Sequence, residues 1–234
     1  MRLRTTTTAL GLTALTLLAL PGCSNNSPAA TGSSSPAAAQ PKTDEGDPKP
    51  SAPLSSAALR ERLLNESDLG EGYTLQPARA SGHDDVTVIG CPALDKLGGE
   101  AAAGGSLDFL NKAKVSFTSA GGSDSEVAEE LYSDTEAKLS KGIGEIFDAM
   151  VSCPTYQVVS GGTVISIATQ KVPLSGLGDE QWSQLLTFTV GGRSSVVKQT
   201  AVRHGSILMV VSGSTGLVDT HLKTALEKAT SSSS

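Results

Sequence analysis

Three cysteines, Cys23, Cys91 and Cys153, and three histidines, His83, His204 and His221, are the side chains of this 234-residue chain best suited to nucleophilic, metal-binding or acid–base chemistry. Their spacing organises none of it. No C-x-x-C or H-x-x-x-H occurs, so no two metal ligands sit on adjacent turns of one element, and a thiol–imidazole pair would have to be gathered from distant segments. His204, beside Gly205 at an expected strand end, reads as a solvent-facing turn residue rather than an acid–base group. Gly142-Ile143-Gly144-Glu145-Ile146-Phe147 opens like a dinucleotide fingerprint but lacks the third glycine and has helical periodicity. Ser212-Gly213-Ser214-Thr215-Gly216 is not G-x-S-x-G, and Ser214 or Thr215 serves better as a helix cap than as a nucleophile. Paired carboxylates at Asp179 and Glu180, just before the single tryptophan Trp182, are the remaining candidates: the carboxylates for a cation or amine in a cleft, Trp182 for stacking on a sugar. A solvated loop and ordinary packing are the plainer readings, since aromatic residues make up only 3% of the chain. The expectation is therefore a protein without catalytic residues, metal or cofactor.

Cys23 has a different context. Arg2 and Arg4 precede the apolar run from Ala9 to Leu20, a cationic start and a short hydrophobic block of the secretory-signal kind, too short for a mature membrane span. Leu20-Pro21-Gly22-Cys23 resembles a bacterial lipobox, which implies cleavage before Cys23 and a diacylglycerol thioether on its sulfur. Two or three acyl chains anchor firmly where one is marginal. Residues 1–22 are thus expected to be a signal peptide, and the mature protein to sit on the outer face of the cell membrane. With Cys23 committed to lipid, Cys91 and Cys153 are the two thiols of an exported domain, and they are expected to form a disulfide.

Residues 24–53, SNNSPAATGSSSPAAAQPKTDEGDPKPSAP, hold no large apolar residue to offset ordering entropy, so residues 23–53 are expected to be a lipidated, disordered tether. A coil of this length reaches about 30 Å on average and about 100 Å when stretched. Residues 54–230 are long enough for one core, and residues 231–234 form a frayed tail. Counting Arg2 and Arg4 out of the 18 basic residues leaves 16 against 24 acidic ones, a net charge of about −8 after cleavage. Such a balance, without a Lys/Arg cluster, excludes nucleic acid as an expected partner.

Within the domain, Ser56 to Leu64 predicts a short helix with Ser56 as its cap, broken by the glycines of Asp68-Leu69-Gly70-Glu71-Gly72-Tyr73. Lys114 to Ser119 alternates as a strand, Gly121 to Asp124 is a turn, and 125–132 is taken as a second strand because Ser133-Asp134-Thr135-Glu136 reads as a capping box. Leu139, Ile143, Ile146, Phe147, Met150 and Val151 then form one face of a helix ending near Cys153-Pro154, expected to be core rather than a ligand-lining face. Two hairpins follow, one turning at Gly161-Gly162 and one at Gly191-Gly192, with the second beginning at Gln184. Ile207 to Val211, apolar throughout, predicts a central strand covered on both faces, and Leu217, Val218, Leu222, Ala225 and Leu226 a closing amphipathic helix. The fold class is α+β: an antiparallel sheet of about five to six strands with helices packed against it.

The order Leu63-Leu64 with Asp68-Leu69-Gly70-Glu71-Gly72-Tyr73, then Cys91, Val115-Ser116-Phe117, Glu130-Leu131-Tyr132-Ser133, Cys153, Gly176-Leu177-Gly178-Asp179 and Gly205 resembles the PknH-type extracellular sensor domain. In actinobacteria this domain occurs at the outer end of receptor Ser/Thr kinases and also as stand-alone lipoproteins. The resemblance covers nearly all of residues 54–230 and implies a twisted antiparallel sheet, a cleft for an unidentified ligand and no catalytic residues. The chain carries one candidate disulfide rather than the two of the kinase-linked form, and no kinase. The function expected is a non-catalytic, monomeric surface lipoprotein binding a small ligand or envelope component. An accessory that docks on a membrane protein is the alternative, and a hydrolase with an unrecognised serine a third.

Overall fold

Two Gly-Gly pairs set the largest part of the architecture. At Gly161 and Gly162 φ is +54° and +78°, and at Gly191 and Gly192 it is +56° and +79°. Positive φ at both central residues makes two-residue turns whose twist matches that of the strands they join. Each therefore closes a hairpin in the expected place: Thr155–Ser160 with Thr163–Lys171 (β5, β6), and Glu180–Val190 with Arg193–His204 (β7, β8). The computed structural model describes residues 52–77, 86–98, 109–120 and 125–231, all within one unit, Asp47–Ser234. The expected signal peptide, Cys23 and nearly all of the tether lie outside these residues, as do His83, the turn at Gly121 to Asp124, and 232–234.

The remaining strands are β1 (Tyr73–Leu75), β2 (Thr87–Ile89), β3 (Asn111–Ser119), β4 (Glu126–Ser133) and β9 (Ile207–Gly213). They assemble in the order β1-β3-β4-β9-β8-β7-β6-β5-β2, every neighbouring pair antiparallel. The sheet thus has nine strands among the described residues, more than the five to six expected. Two of the extra strands are the three-residue edges β1 and β2, too short to show an alternating pattern and each paired with a single strand, β3 and β5.

Helices α1 (Ser56–Glu61), α2 (Glu66–Leu69) and α5 (Thr215–Thr230) cover one face of the sheet over β3, β4, β9 and β8. Their core joins Leu59, Phe117, Leu131, Met209, Val218 and Ala225. The opposite face carries α3 (Pro92–Leu97) and α4 (Glu136–Ser152), over Tyr156, Val158, Ile167 and Leu186 on the hairpin side and Tyr132, Ala201 and Leu208 at the centre. All of Ile207 to Val211 is buried between the two layers, as expected of a central strand.

Two caps differ from expectation. Ser55, not Ser56, caps α1, its hydroxyl accepting from the Ala58 N–H. No capping box forms before α4: Ser133 ends β4 and donates to the Ser206 carbonyl, so the helix begins behind Thr135 instead. A capping box does form at α2, between Asn65 and Asp68, where the sequence reading placed only a break.

Cys91 and Cys153 are joined, their Cα atoms 5.6 Å apart. The bond ties the start of α3 to the end of α4 across a sequence separation of 62 residues. Closing such a loop removes about 4 kcal/mol of chain entropy from the unfolded state. Replacing both cysteines with Ala is expected to lower the urea midpoint by an amount equivalent to about 4 kcal/mol with native circular dichroism retained. An unshifted midpoint would contradict a stabilising role for the bond.

Candidate functional site

A part-enclosed notch opens where two adjacent strands differ in length. β6 ends at Lys171, paired with Gln184, while β7 begins four residues earlier at Glu180. Pro173 explains the stop, because it has no N–H to donate and holds Val172 extended. The Val172 N–H still donates to the Ser183 carbonyl at 2.9 Å, after which the chain bows away from β7. It is caught again where the Leu177 N–H donates to the Gln181 side chain at 3.0 Å. The space left is about 380 Å³, walled by Phe147, Val151, Pro173, Leu174, Gln181 and Trp182. That volume lies in the lower part of the range for small-molecule sites.

Trp182, read from sequence as a packing residue just ahead of a strand starting at Gln184, lies on β7 itself, half-buried, its ring centroid 6.3 Å from that of Phe147. Phe147 and Val151, assigned by periodicity to the core face of α4, line the same notch, and Val151 is 39% exposed. Asp148 and Lys171 stand exposed at its rim, and neither side chain has an ion-pair or hydrogen-bond partner among the described residues. These two charges were missed because nothing in the sequence shows that α4 and the end of β6 meet at one opening.

Asp179 is not in the notch. Its carboxylate accepts from the Gly205 N–H at 2.7 Å and from Arg203 Nη1 at 3.2 Å. Glu180 accepts from Arg203 Nε at 2.6 Å and from the Ser140 hydroxyl at 2.8 Å. Burial raises the Glu180 pKa, but the bonds from Arg203 and Ser140 outweigh it and hold the carboxyl below its usual value. The carboxylate pair considered as a candidate for an external cation or amine is thus engaged from within by Arg203, which balances one of its two charges. Gly178, at φ +58°, is required there, since a Cβ would fall 2.4 Å from the Arg203 carbonyl oxygen.

His204 is exposed, 3.8 Å from Asp179, and His221 is buried, its Nε2 2.7 Å from the Tyr73 hydroxyl. Ser214 precedes α5 without a side-chain cap bond. Among the described residues no group of three or more His, Cys, Asp or Glu is placed to hold a metal ion, and no helix is long and apolar enough to cross a membrane.

The class these features define is an α+β domain with one disulfide-joined flank and helices on both faces of a large antiparallel sheet. A solved structure of the same kind, the extracellular domain of PknH from Mycobacterium tuberculosis, superposes with a TM-score of 0.58 over 76% of this chain and 97% of that one. At 14% identity the likeness is one of fold. No protein-family model and no curated relative matches the chain.

The most perturbed acid lies away from the notch. Glu129, 1% exposed under α1 and α2, accepts the Leu64 N–H through Oε2, and its buried Oε1 has no partner among the described residues. Burial pushes its pKa up to about 8, against the Leu64 bond and the nearby Lys228, while Asp68 adds to the rise. A carboxyl that binds its proton more tightly folded than unfolded gives stability that is present in acid and lost as pH rises from about 4.5 towards 8. His221, its pKa lowered by burial, works the other way and is destabilising in acid. Relative to wild type, Glu129→Gln is therefore expected to remove a loss of on the order of 1 kcal/mol per pH unit between pH 5 and 8, read from urea midpoints across that range. Parallel pH profiles for the two proteins would contradict a neutral Glu129.

Proposed function

We propose that the protein is a lipid-anchored domain on the outer face of the cell membrane that binds a small ligand or envelope component in the Trp182 notch and performs no chemistry on it. The observation carrying this reading is the notch itself: an aromatic and aliphatic wall beside Asp148 and Lys171, whose side chains have no partner among the described residues. Such a wall with a few polar groups is what small-molecule sites offer. Support for an extracytoplasmic setting comes from the leader with Cys23, the Cys91–Cys153 bond and the fold likeness to an extracellular domain. A second reading, docking on a membrane protein, is favoured by the half of the sheet that α1, α2 and α5 leave uncovered. There Ile89, Val164 and Val196 are each about half exposed among Thr155, Gln157 and Thr187.

Two measurements test the first reading. In a thermal-shift screen of lipids, glycans and wall fragments, at least one compound is expected to stabilise the full chain and to lose that effect in Trp182→Ala; turnover of any of them, or labelling by a fluorophosphonate probe, would refute a purely binding role. Cys23→Ala is expected to move the protein from the membrane fraction to the medium or leave it unprocessed, and unchanged membrane association would remove the anchor.

A further inference from the structure

The notch exposes strand edge as well as side chains. β7 residues Glu180–Ser183 run beyond the last pair with β6, and past the Val172 bond to Ser183 about 7 Å of that edge, Glu180–Trp182, has no strand beside it among the described residues. The Ser183 carbonyl turns towards β6, where it receives the Val172 N–H. Antiparallel alternation turns the backbone N–H and C=O of Gln181, two residues earlier, to that same side. Gln181 lines the notch, and its backbone groups find no partner there among the described residues. One donor and one acceptor on a strand edge are the pattern that another peptide backbone completes.

We propose that the notch takes a short peptide of two or three residues with both termini free, which adds to β7 opposite Gln181. This rests on the reading of the notch as a ligand site and names the ligand's class. The peptide's amide completes the Gln181 pair, an apolar side chain packs on Trp182 and Phe147, its carboxylate meets Lys171 and its ammonium Asp148. Free edge and volume limit the length. The rim carries one charge of each sign, so it suits a zwitterion better than a ligand of net charge. A glycan would use the aromatic wall but leave both rim charges and the backbone pair unanswered.

Trp182 is the only tryptophan in the chain, so tryptophan emission, excited where tyrosine does not absorb, reports on this notch alone. Leucyl-leucine titrated into the full chain in mild detergent is expected to give a saturable change in Trp182 emission. N-acetylation, C-terminal amidation or N-methylation of the central amide should each weaken it at least tenfold. Asp148→Asn and Lys171→Gln, both at exposed positions, should reproduce the first two losses with an unchanged melting temperature. Equal binding of free, capped and N-methylated peptides would overturn the proposal. If no peptide acts but a compound from the thermal-shift screen does change Trp182 emission, the peptide class fails and the notch stands. If a stabilising compound leaves Trp182 silent, the notch fails as the site and the peptide with it.

Discussion

Burial of one strand on both faces governs the layout. Every side chain from Ile207 to Val211 is removed from solvent, so β9 must lie between two helix layers, with α5, α1 and α2 on one side and α4 on the other. β9 also joins the two parts of the sheet. It pairs with β4, formed some eighty positions earlier, and with the adjacent β8. The first four helices and eight strands therefore cannot close over a common core until the ninth strand is in place. Folding should wait on this late, non-local pairing rather than on the hairpins, whose Gly-Gly turns form locally.

Helix length then limits what can be covered. Nine strands span roughly 40 Å at the usual spacing, whereas a 17-residue helix such as α4 is about 25 Å long. Alpha5 and the short N-terminal helices shield the β3 to β8 part of one face, and the β7 to β2 part of that face remains open. Its residues suit that position: Thr155, Gln157, Ser166, Thr187 and Thr189 are β-compatible yet tolerate water. On the opposite face the disulfide joins α3 to α4 near the β2 end of the sheet.

The elements set by local chemistry could be read from sequence: both Gly-Gly hairpins, the apolar central strand, the two long amphipathic helices and the cysteine pair. What could not be read depended on neighbours distant in sequence. Tyr73–Leu75 and Thr87–Ile89 are strands only because β3 and β5 offer them free edges. Ser133 satisfied a capping pattern, but the Ser206 carbonyl competed for its hydroxyl and a ladder partner competed for its backbone. At the notch, Trp182 stood out in the sequence, yet the strand was expected to begin only at Gln184. The strand character of 180–183 comes from pairing with β8, which continues after β6 has stopped. Asp148 and Lys171 looked like any other surface charges, because their significance is purely spatial.

The carboxylates that sequence reasoning offered as a ligand site have a different role in the same chemistry. Asp179 and Glu180 grip Arg203 and the Gly205 backbone, and Ser140 ties Glu180 to α4. This network fixes one end of the 172–179 loop, while the Val172 to Ser183 bond fixes the other. Pinned at both ends and once more at Leu177, the loop cannot collapse onto β7 without breaking charge-assisted bonds to a mostly buried Arg203. The gap is therefore held open before anything enters it. A ligand meeting preformed walls avoids much of the ordering cost that weakens association, so a site this small can still bind usefully. On the proposed reading, residues that never touch a ligand would thus set how well the notch holds it.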